Sequence, residues 1–240
     1  MNKYIKALIK VTSKYEYAED FRNGKLWMNE LRYFTKCEEE ELRDPYEARG
    51  TTISVLNHDF NIIYDKDLCH PVFCLYGVYD AKYGNTGTVS IAEKMKAFGQ
   101  YAVVVTDVEK FTNRLRDASL IFSPIRYYEP DYADPSIRTP YMAYFCKKNY
   151  FKYQSEFRIV NDNLLLVQNT PEKYNHMKTL SSDHDVVQIA GGLSDITSSI
   201  IPVEELLFPN CYHVLLSVNW EKVRFQDYVL YEKPQESDKL

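Results

Sequence analysis

"PVFCLYGVYD", residues 71–80, decides the fold, because it predicts the central strand of a sheet. Its apolar residues form a continuous run, which is typical of a strand that is covered on both faces. A second run of this kind, "YAVVVTD" at residues 101–107, predicts another buried strand. The alternating stretch "YIKALIKV" at residues 4–11 predicts an opening strand, so the predicted core is built around a sheet.

A first helix is predicted directly after the opening strand. The stretch "TSKYEYAEDFRNGK", residues 12–25, contains a capping box in which Ser13 caps the helix and Glu16 completes the S-x-x-E pattern. Gly24 is the predicted C-terminal stop. The following stretch, "LWMNELRYF" at residues 26–34, predicts a short strand or two extended pieces.

Two further helices are predicted from caps and spacing. The stretch "VEKFTNRLRD", residues 108–117, predicts a helix that is capped by Thr106 or Asp107. In "YMAYFCKKNYF", residues 141–151, aromatic residues and a lysine recur at helical spacing. This spacing predicts a helix that leads into the strand "EFRIV", residues 156–160.

The remaining elements are short, and they complete an α+β pattern. "TTISVLNHDFNIIYD" predicts a hairpin, and "CEEEELRDPYEARG" before it is an acidic segment that predicts a solvated face. Other predicted elements are a helix at 91–99, a short helix at 202–207, and strands at 164–168, 185–192 and 211–219. With no repeat and no linker, residues 1–240 are predicted to form a single α+β domain with a mixed, mostly antiparallel sheet.

Composition narrows the class of protein. The net charge of −5 gives no global attraction to nucleic acid, although local basic patches stay open. Five scattered cysteines, an odd number, predict free thiols in a reducing cytoplasm. No apolar run approaches the ~20 residues that span a bilayer, so neither a signal peptide nor a membrane span is expected.

Familiar catalytic motifs are absent from the sequence. It contains no G-x-G-x-x-G after a strand, no P-loop, no H-E-x-x-H, no G-x-S-x-G and no C-x-x-C. Cys69, His70 and Cys74 are close in sequence but lack the four matched ligands of structural zinc, so no metal site is predicted.

The stretch "KYQSEFRIV", residues 152–160, contains the strongest candidate for chemistry. Because successive strand residues face opposite ways, Glu156 and Arg158 share one face of the predicted strand. They are either a surface ion pair, worth less than ~1 kcal/mol, or part of a site in which the carboxylate does chemistry.

The order of segments adds to this second interpretation. "RDPYE" at residues 43–47, "FCLY" at 73–76 and "KKNYFKYQSEFRI" at 147–159 follow one another along the chain. This succession resembles an uncharacterised bacterial and phage domain family with an "fNDPfE"-like loop, a "ClS"-like strand and a K-x-x-x-W-x-x-E-x-E-x-R strand. Here Tyr76 replaces a serine, Phe151 or Tyr153 replaces the tryptophan, and Gln154 replaces the first glutamate.

A second resemblance is to ADP-ribosyltransferases, including those of toxin–antitoxin and phage-defence systems. It implies a split sheet that binds NAD as a substrate. It also implies that Glu156 is catalytic and that Lys10 or Arg32, with Tyr76 and the Ser155 turn, binds the dinucleotide. The implied activity is mono-ADP-ribosylation of nucleic acid or protein, with a partner antitoxin.

Two other functions are compatible with the residues. The 21 tyrosines suit an interface, so a non-catalytic sensor or inhibitor is the alternative from another class. In that case Glu156 and Arg158 form a structural pair. A magnesium nuclease is the third, although the usual D/E-x-K spacing has no counterpart on a predicted strand.

Overall fold

The fold is taken from a computed structural model. It describes residues 5–38, 40–45, 47, 51–55, 58–62, 68–79, 88–128, 144–161, 184–207, 210 and 212–213. The predicted strand at 164–168 and most of the one at 211–219 lie outside these residues.

The described chain is an α+β fold whose main sheet has eight strands. These strands are β1 (Ile5–Thr12), β2 (Lys25–Glu30), β5 (Pro71–Tyr79), β7 (Tyr101–Val105), β8 (Ile121–Pro124), β11 (Glu156–Val160), β12 (His184–Gln188) and β13 (Ile201–Pro202). Six others form three two-stranded sheets: β3 (Thr51–Val55) with β4 (His58–Ile62), β6 (Thr88–Val89) with β14 (Tyr212–His213), and β9 (Arg126–Tyr128) with β10 (Cys146–Lys148). The predicted hairpin is confirmed by the antiparallel pairing of β3 with β4.

The strand predicted from residues 71–80 is indeed central. The main sheet has the order β12-β2-β5-β1-β7-β13, and β11 pairs with β5 and then with β8. Every ladder of this sheet is antiparallel, whereas β9 and β10 pair in parallel. The prediction of a mostly antiparallel sheet is therefore confirmed.

One edge of β5 is shared by two strands. Because β11 occupies the other edge from Val72 to Tyr76, β1 and β2 must both pair along this one. β2 pairs with residues 71–72 and β1 with residues 76–79. Between them, residues 73–75 have no ladder partner on this edge among the described residues. β1 and β2 therefore diverge, and the sheet has a gap beside the middle of β5.

Within the described residues, the sheet is accompanied by the α-helices α1 (Tyr15–Arg22), α2 (Leu31–Lys36) and α3 (Val108–Asp117). Phe21 of α1 and Phe111 of α3 are buried in the same core cluster as Phe73 of β5. This packing is expected, because an amphipathic helix is stabilised mainly by burying its apolar face. Both helices thus cover the face of the sheet on which Phe73 lies.

One predicted helix cap is confirmed by the structure, and another is wrong. The Asp107 side chain accepts a hydrogen bond from the Lys110 backbone at 3.0 Å, which confirms it as the cap of α3. The Ser13 cap is wrong, since α1 starts one residue later, after Lys14, without a side-chain cap. Gly24 follows the helix with φ 86°, which agrees with a predicted stop.

Short 3₁₀ helices replace two predicted α-helices. Residues 93–98 form a 3₁₀ helix, and Gly99 follows it with φ 148° against the backbone of Thr12. The predicted helix at 141–151 is wrong from Cys146 onwards, because Cys146–Lys148 is strand β10 and Asn149–Gln154 is a 3₁₀ helix. The predicted short helix at 202–207 is confirmed as the 3₁₀ helix Val203–Leu206.

The second half of "LWMNELRYF" is helix α2, so the prediction of a strand or extended pieces is wrong from Leu31 onwards.

The acidic segment, residues 37–50, was predicted to be a solvated face, and this is only partly correct. Glu38 and Glu40 are exposed, but Asp44 and Glu47 are each 1% exposed. Buried carboxylates need partners, and the partners of Glu47 lie at the site described next.

Candidate functional site

A cavity of about 430 Å³ lies at the gap in the sheet. Its walls come from β1, β2 and β5, from α2 and the segment after it, and from the region that leads into β11. The polar and charged side chains of the wall include Lys10, Asn29, Lys147, Gln154 and Glu156. A cavity of this size is within the usual range for small-molecule sites.

Glu156, the first residue of β11, is a buried anion in this wall. Its side chain is 5% exposed, and each of its oxygens accepts a hydrogen bond from a buried cation. Oε1 accepts from Arg158 Nε at 2.8 Å, and Oε2 accepts from Lys147 Nζ at 2.9 Å. The interpretation of Glu156 and Arg158 as a surface ion pair is therefore wrong.

A second carboxylate joins the same cluster from the acidic segment. Arg158 Nη1 donates to Glu47 Oε1 at 2.7 Å and to the carbonyl oxygen of Tyr144 at 2.7 Å. Lys147 Nζ lies 3.8 Å from Glu47 Oε2. Two carboxylates and two cations thus form one buried network, which has no net formal charge.

Charge pairing determines the ionisation of Glu156 and Lys147. Burial alone would raise the pKa of Glu156, but Arg158 and Lys147 outweigh it and hold that pKa well below its usual range. Burial acts to lower the pKa of Lys147, yet Glu156 and Glu47 raise it overall. Glu156 is therefore a carboxylate at neutral pH, with little tendency to take up a proton.

Lys10 of β1 differs from Lys147 and Arg158 in its partners, which are a backbone carbonyl oxygen and an aromatic ring. Its Nζ donates to the carbonyl oxygen of Cys74 at 3.3 Å and lies 4.0 Å from the centre of the Phe73 ring. In the described part of the chain, no carboxylate is within ion-pair distance of it. Burial lowers the pKa of Lys10, and the nearby Glu156 carboxylate only partly offsets this. An anionic ligand in the cavity would supply the missing counter-charge.

Tyr76 and Cys74 complete the wall around the carboxylate. Tyr76 pairs with Glu156 across the sheet, is 3% exposed and lines the cavity. Burial, together with the neighbouring Glu156 carboxylate, raises the pKa of Cys74 to about 12. Such a thiol remains protonated and is a poor nucleophile.

Two of the residues predicted to bind the dinucleotide do not reach the cavity. Arg32 pairs with Glu30 and donates to Cys69 Sγ at 3.1 Å, outside the cavity wall. The Ser155 hydroxyl donates to the carbonyl oxygen of Gly77 at 2.7 Å, so it fastens the start of β11 to β5. Of the predicted set, the structure brings together Lys10, Tyr76 and Glu156.

The residues at the positions of the K-x-x-x-W-x-x-E-x-E-x-R pattern contact one another in the structure. Its positions correspond to Lys147, Phe151, Gln154, Glu156 and Arg158. Lys147 Nζ lies 4.9 Å from the centre of the Phe151 ring and donates to Gln154 Oε1 at 2.9 Å. All five side chains thus belong to one connected cluster beside the cavity.

Sequence reasoning missed Lys147 and Glu47. The spacing of the pattern was a signal for Lys147, because the lysine falls at that position. For Glu47 the signal was its place in "RDPYE", which matches the loop of the family that the sequence resembles. The acidic composition of the segment instead predicted that its side chains face solvent. The predicted helix across 141–151 also concealed the strand geometry that directs Lys147 toward Glu156.

The described residues contain no group of three or more histidine, cysteine, aspartate or glutamate side chains arranged to hold a metal ion. Within the same residues, no helix is both long and apolar enough to cross a membrane. No protein-family model, curated protein or solved structure matches this chain.

Proposed function

We propose that this protein is an NAD-dependent mono-ADP-ribosyltransferase, with the cavity at the sheet gap as its active site. The observation that supports this most is Glu156, an ionised and doubly anchored carboxylate in the wall of a cavity that also contains Lys10 and Tyr76. The gap between β1 and β2 supports the proposal, because the resemblance to ADP-ribosyltransferases implies a split sheet around NAD.

The proposed chemistry uses the charge of Glu156. When the bond between nicotinamide and ribose breaks, its electron pair leaves with nicotinamide and positive charge develops on the ribose, as in glycoside hydrolysis. A fixed carboxylate in a water-poor site stabilises that charge. The acceptor then bonds to the same ribose carbon and releases its proton to water. Because the pKa of Glu156 is low, it acts here by electrostatics, not as a proton acceptor.

Lys10 is assigned to the pyrophosphate of NAD. Its partly buried ammonium has no carboxylate within ion-pair distance among the described residues, and phosphate oxygens accept charge-assisted hydrogen bonds from such a group. The Tyr76 ring lies on the strand opposite Glu156, where it can pack against nicotinamide.

The biological setting rests on the resemblance to ADP-ribosyltransferases alone. It suggests a toxin of a phage-defence or toxin–antitoxin system that acts in the cytoplasm. The acceptor would be nucleic acid or protein, and an antitoxin would be a partner.

The test is turnover of labelled NAD in the presence of cell extract, with three variants. Glu156→Gln should reduce turnover steeply while leaving NAD binding nearly unchanged, if the carboxylate acts in the transition state. Lys10→Met should weaken NAD binding. Lys96→Met is the control, because Lys96 is exposed, is paired with Glu93 and does not line the cavity. Absence of both label transfer and NAD turnover in the wild type would exclude the proposal.

A non-catalytic binding protein is the second candidate. It is favoured by the full engagement of Glu156, whose two oxygens already bind Arg158 and Lys147. In this case Glu156→Gln would lower the melting temperature without removing any activity. Millimolar NAD separates the candidates, since a ligand of the folded state raises the melting temperature by mass action.

A further inference from the structure

Three exposed aromatic side chains line the mouth of the cavity. Tyr17 of α1, Trp27 of β2 and Tyr33 of α2 are 43%, 43% and 38% exposed. Large aromatic side chains usually bury most of their surface, so exposed rings that gather at one concave site indicate binding.

The indole of Trp27 is held in a fixed orientation. Its Nε1 donates to Asp20 Oδ2 at 2.9 Å, and Asp20 is also paired with Lys25 at 3.1 Å. The ring centre lies 6.5 Å from that of Tyr17, at an interplanar angle of 47°. Since the polar edge of the indole is satisfied, its exposed surface is an apolar, electron-rich face.

Cations surround the two rings. Lys14 Nζ lies 5.3 Å from the centre of the Tyr17 ring, and Lys25 is about half exposed beside Asp20. Lys10 lies deeper in the same cavity. The Asp20 carboxylate beside these rings already accepts hydrogen bonds from Trp27 and Lys25. Its negative charge is therefore partly neutralised and repels an anionic ligand less.

We propose that Trp27 and Tyr17 form a nucleobase-stacking site at the mouth of the cavity. Flat aromatic faces beside lysines are what proteins use to bind a base and its phosphate together. The base belongs either to a small nucleotide or to single-stranded nucleic acid, and the experiment separates these sources. This site is inferred from the exposed aromatic side chains, so its test does not depend on whether the protein cleaves NAD.

The test uses tryptophan fluorescence, because stacking on a base quenches an indole. The chain has two tryptophans, and Trp220→Phe leaves Trp27 as the single reporter. Adenosine monophosphate and a single-stranded oligoadenylate should each be titrated, with ribose 5-phosphate as the control that lacks a base. Saturable quenching by either base-containing probe is expected. Tighter binding of the oligoadenylate identifies nucleic acid as the source, and equal binding identifies a nucleotide.

Variants test whether the stack itself matters. Isothermal titration calorimetry measures these variants, because they have lost the Trp27 reporter. Trp27→Leu should weaken binding of the better probe by a factor of roughly 5–150, and Trp27→Phe should restore most of it. Tyr150→Leu is the control, because Tyr150 is more exposed than Trp27 but does not line the cavity. If Trp220→Phe fails to fold, binding to the wild type is compared with binding to Trp27→Leu.

Three results would overturn the proposal. The first is no quenching by either base-containing probe. The second is equal quenching by ribose 5-phosphate, and the third is unchanged affinity in Trp27→Leu. None of these readouts requires NAD turnover, so the failure of this site and the failure of the proposed enzyme are distinguishable.

Discussion

Replacing Glu156 by glutamine should destabilise the protein strongly, whatever its activity. The amide keeps the shape of the side chain but removes its charge, and one of its two polar atoms becomes a donor. It then faces Arg158 Nε and Lys147 Nζ, both of which are donors at 2.8 and 2.9 Å in the wild type. At least one charge-assisted hydrogen bond is lost, and the buried network changes from neutral to a charge of +1.

The size of the effect follows from the burial of these groups. Breaking a buried ion pair by removing one partner costs about 3–5 kcal/mol, a large part of the roughly 5–15 kcal/mol that stabilises a typical protein. For a chain of this size that corresponds to a fall in melting temperature of about 6–20 °C. The assay is thermal denaturation followed by circular dichroism at neutral pH.

Two controls make the result specific. Glu93→Gln removes an exposed ion pair with Lys96 and should shift the melting temperature by less than about 2 °C. The double variant Glu156→Leu with Lys147→Leu removes one charge of each sign and should recover much of the loss. A fall of less than about 2 °C in Glu156→Gln itself would refute the buried network.

Four further outcomes are expected. The stability due to Glu156 should be complete above pH about 4.5 and decline as pH falls below it, because its pKa is lower folded than unfolded; urea titrations of wild type and Glu156→Gln across that range measure the difference. Lys10→Met should leave the melting temperature unchanged or raise it, since burial lowers the pKa of Lys10 and its charge opposes folding; calorimetry would contradict this by showing a clear loss. Cys74, with its pKa raised to about 12, should resist iodoacetamide in the folded protein and react after unfolding, as peptide mass spectrometry can show. Asp107→Ala should cost about 1 kcal/mol in chemical denaturation through the loss of the α3 cap, and no change would exclude that cap.

The parts of the fold that sequence predicts well are those with a strong local signal. The apolar runs at 71–80 and 101–107 are strands, because a continuous apolar segment needs cover on both faces. Asp107 was readable as a cap of α3 for the same local reason. The helix predicted across 141–151 is wrong from Cys146 onwards, where strand β10 places Lys147 beside Glu156, and helical spacing does not reveal such a tertiary contact.

The candidate site was predictable only in part. Glu156 and Arg158 lie two residues apart on one strand, so their shared face followed from the strand period. The pairing of Arg158 with Glu47 links residues 111 positions apart in the chain, and no local pattern specifies such a contact. For this reason, local sequence patterns do not predict that the Glu47 side chain points into the protein.

The network around Glu156 is larger than attachment of the acidic segment requires. The pair of Arg158 with Glu47 is sufficient to fasten that segment to β11. Adding Glu156 and Lys147 buries two more charges, which opposes folding unless their pairing is close to ideal. What the addition achieves is an ionised carboxylate with both oxygens fixed in the cavity wall before any ligand arrives. The proposed stabilisation of a developing cation depends on such preorganisation, and under that proposal a role at the cavity explains the arrangement better than stability does.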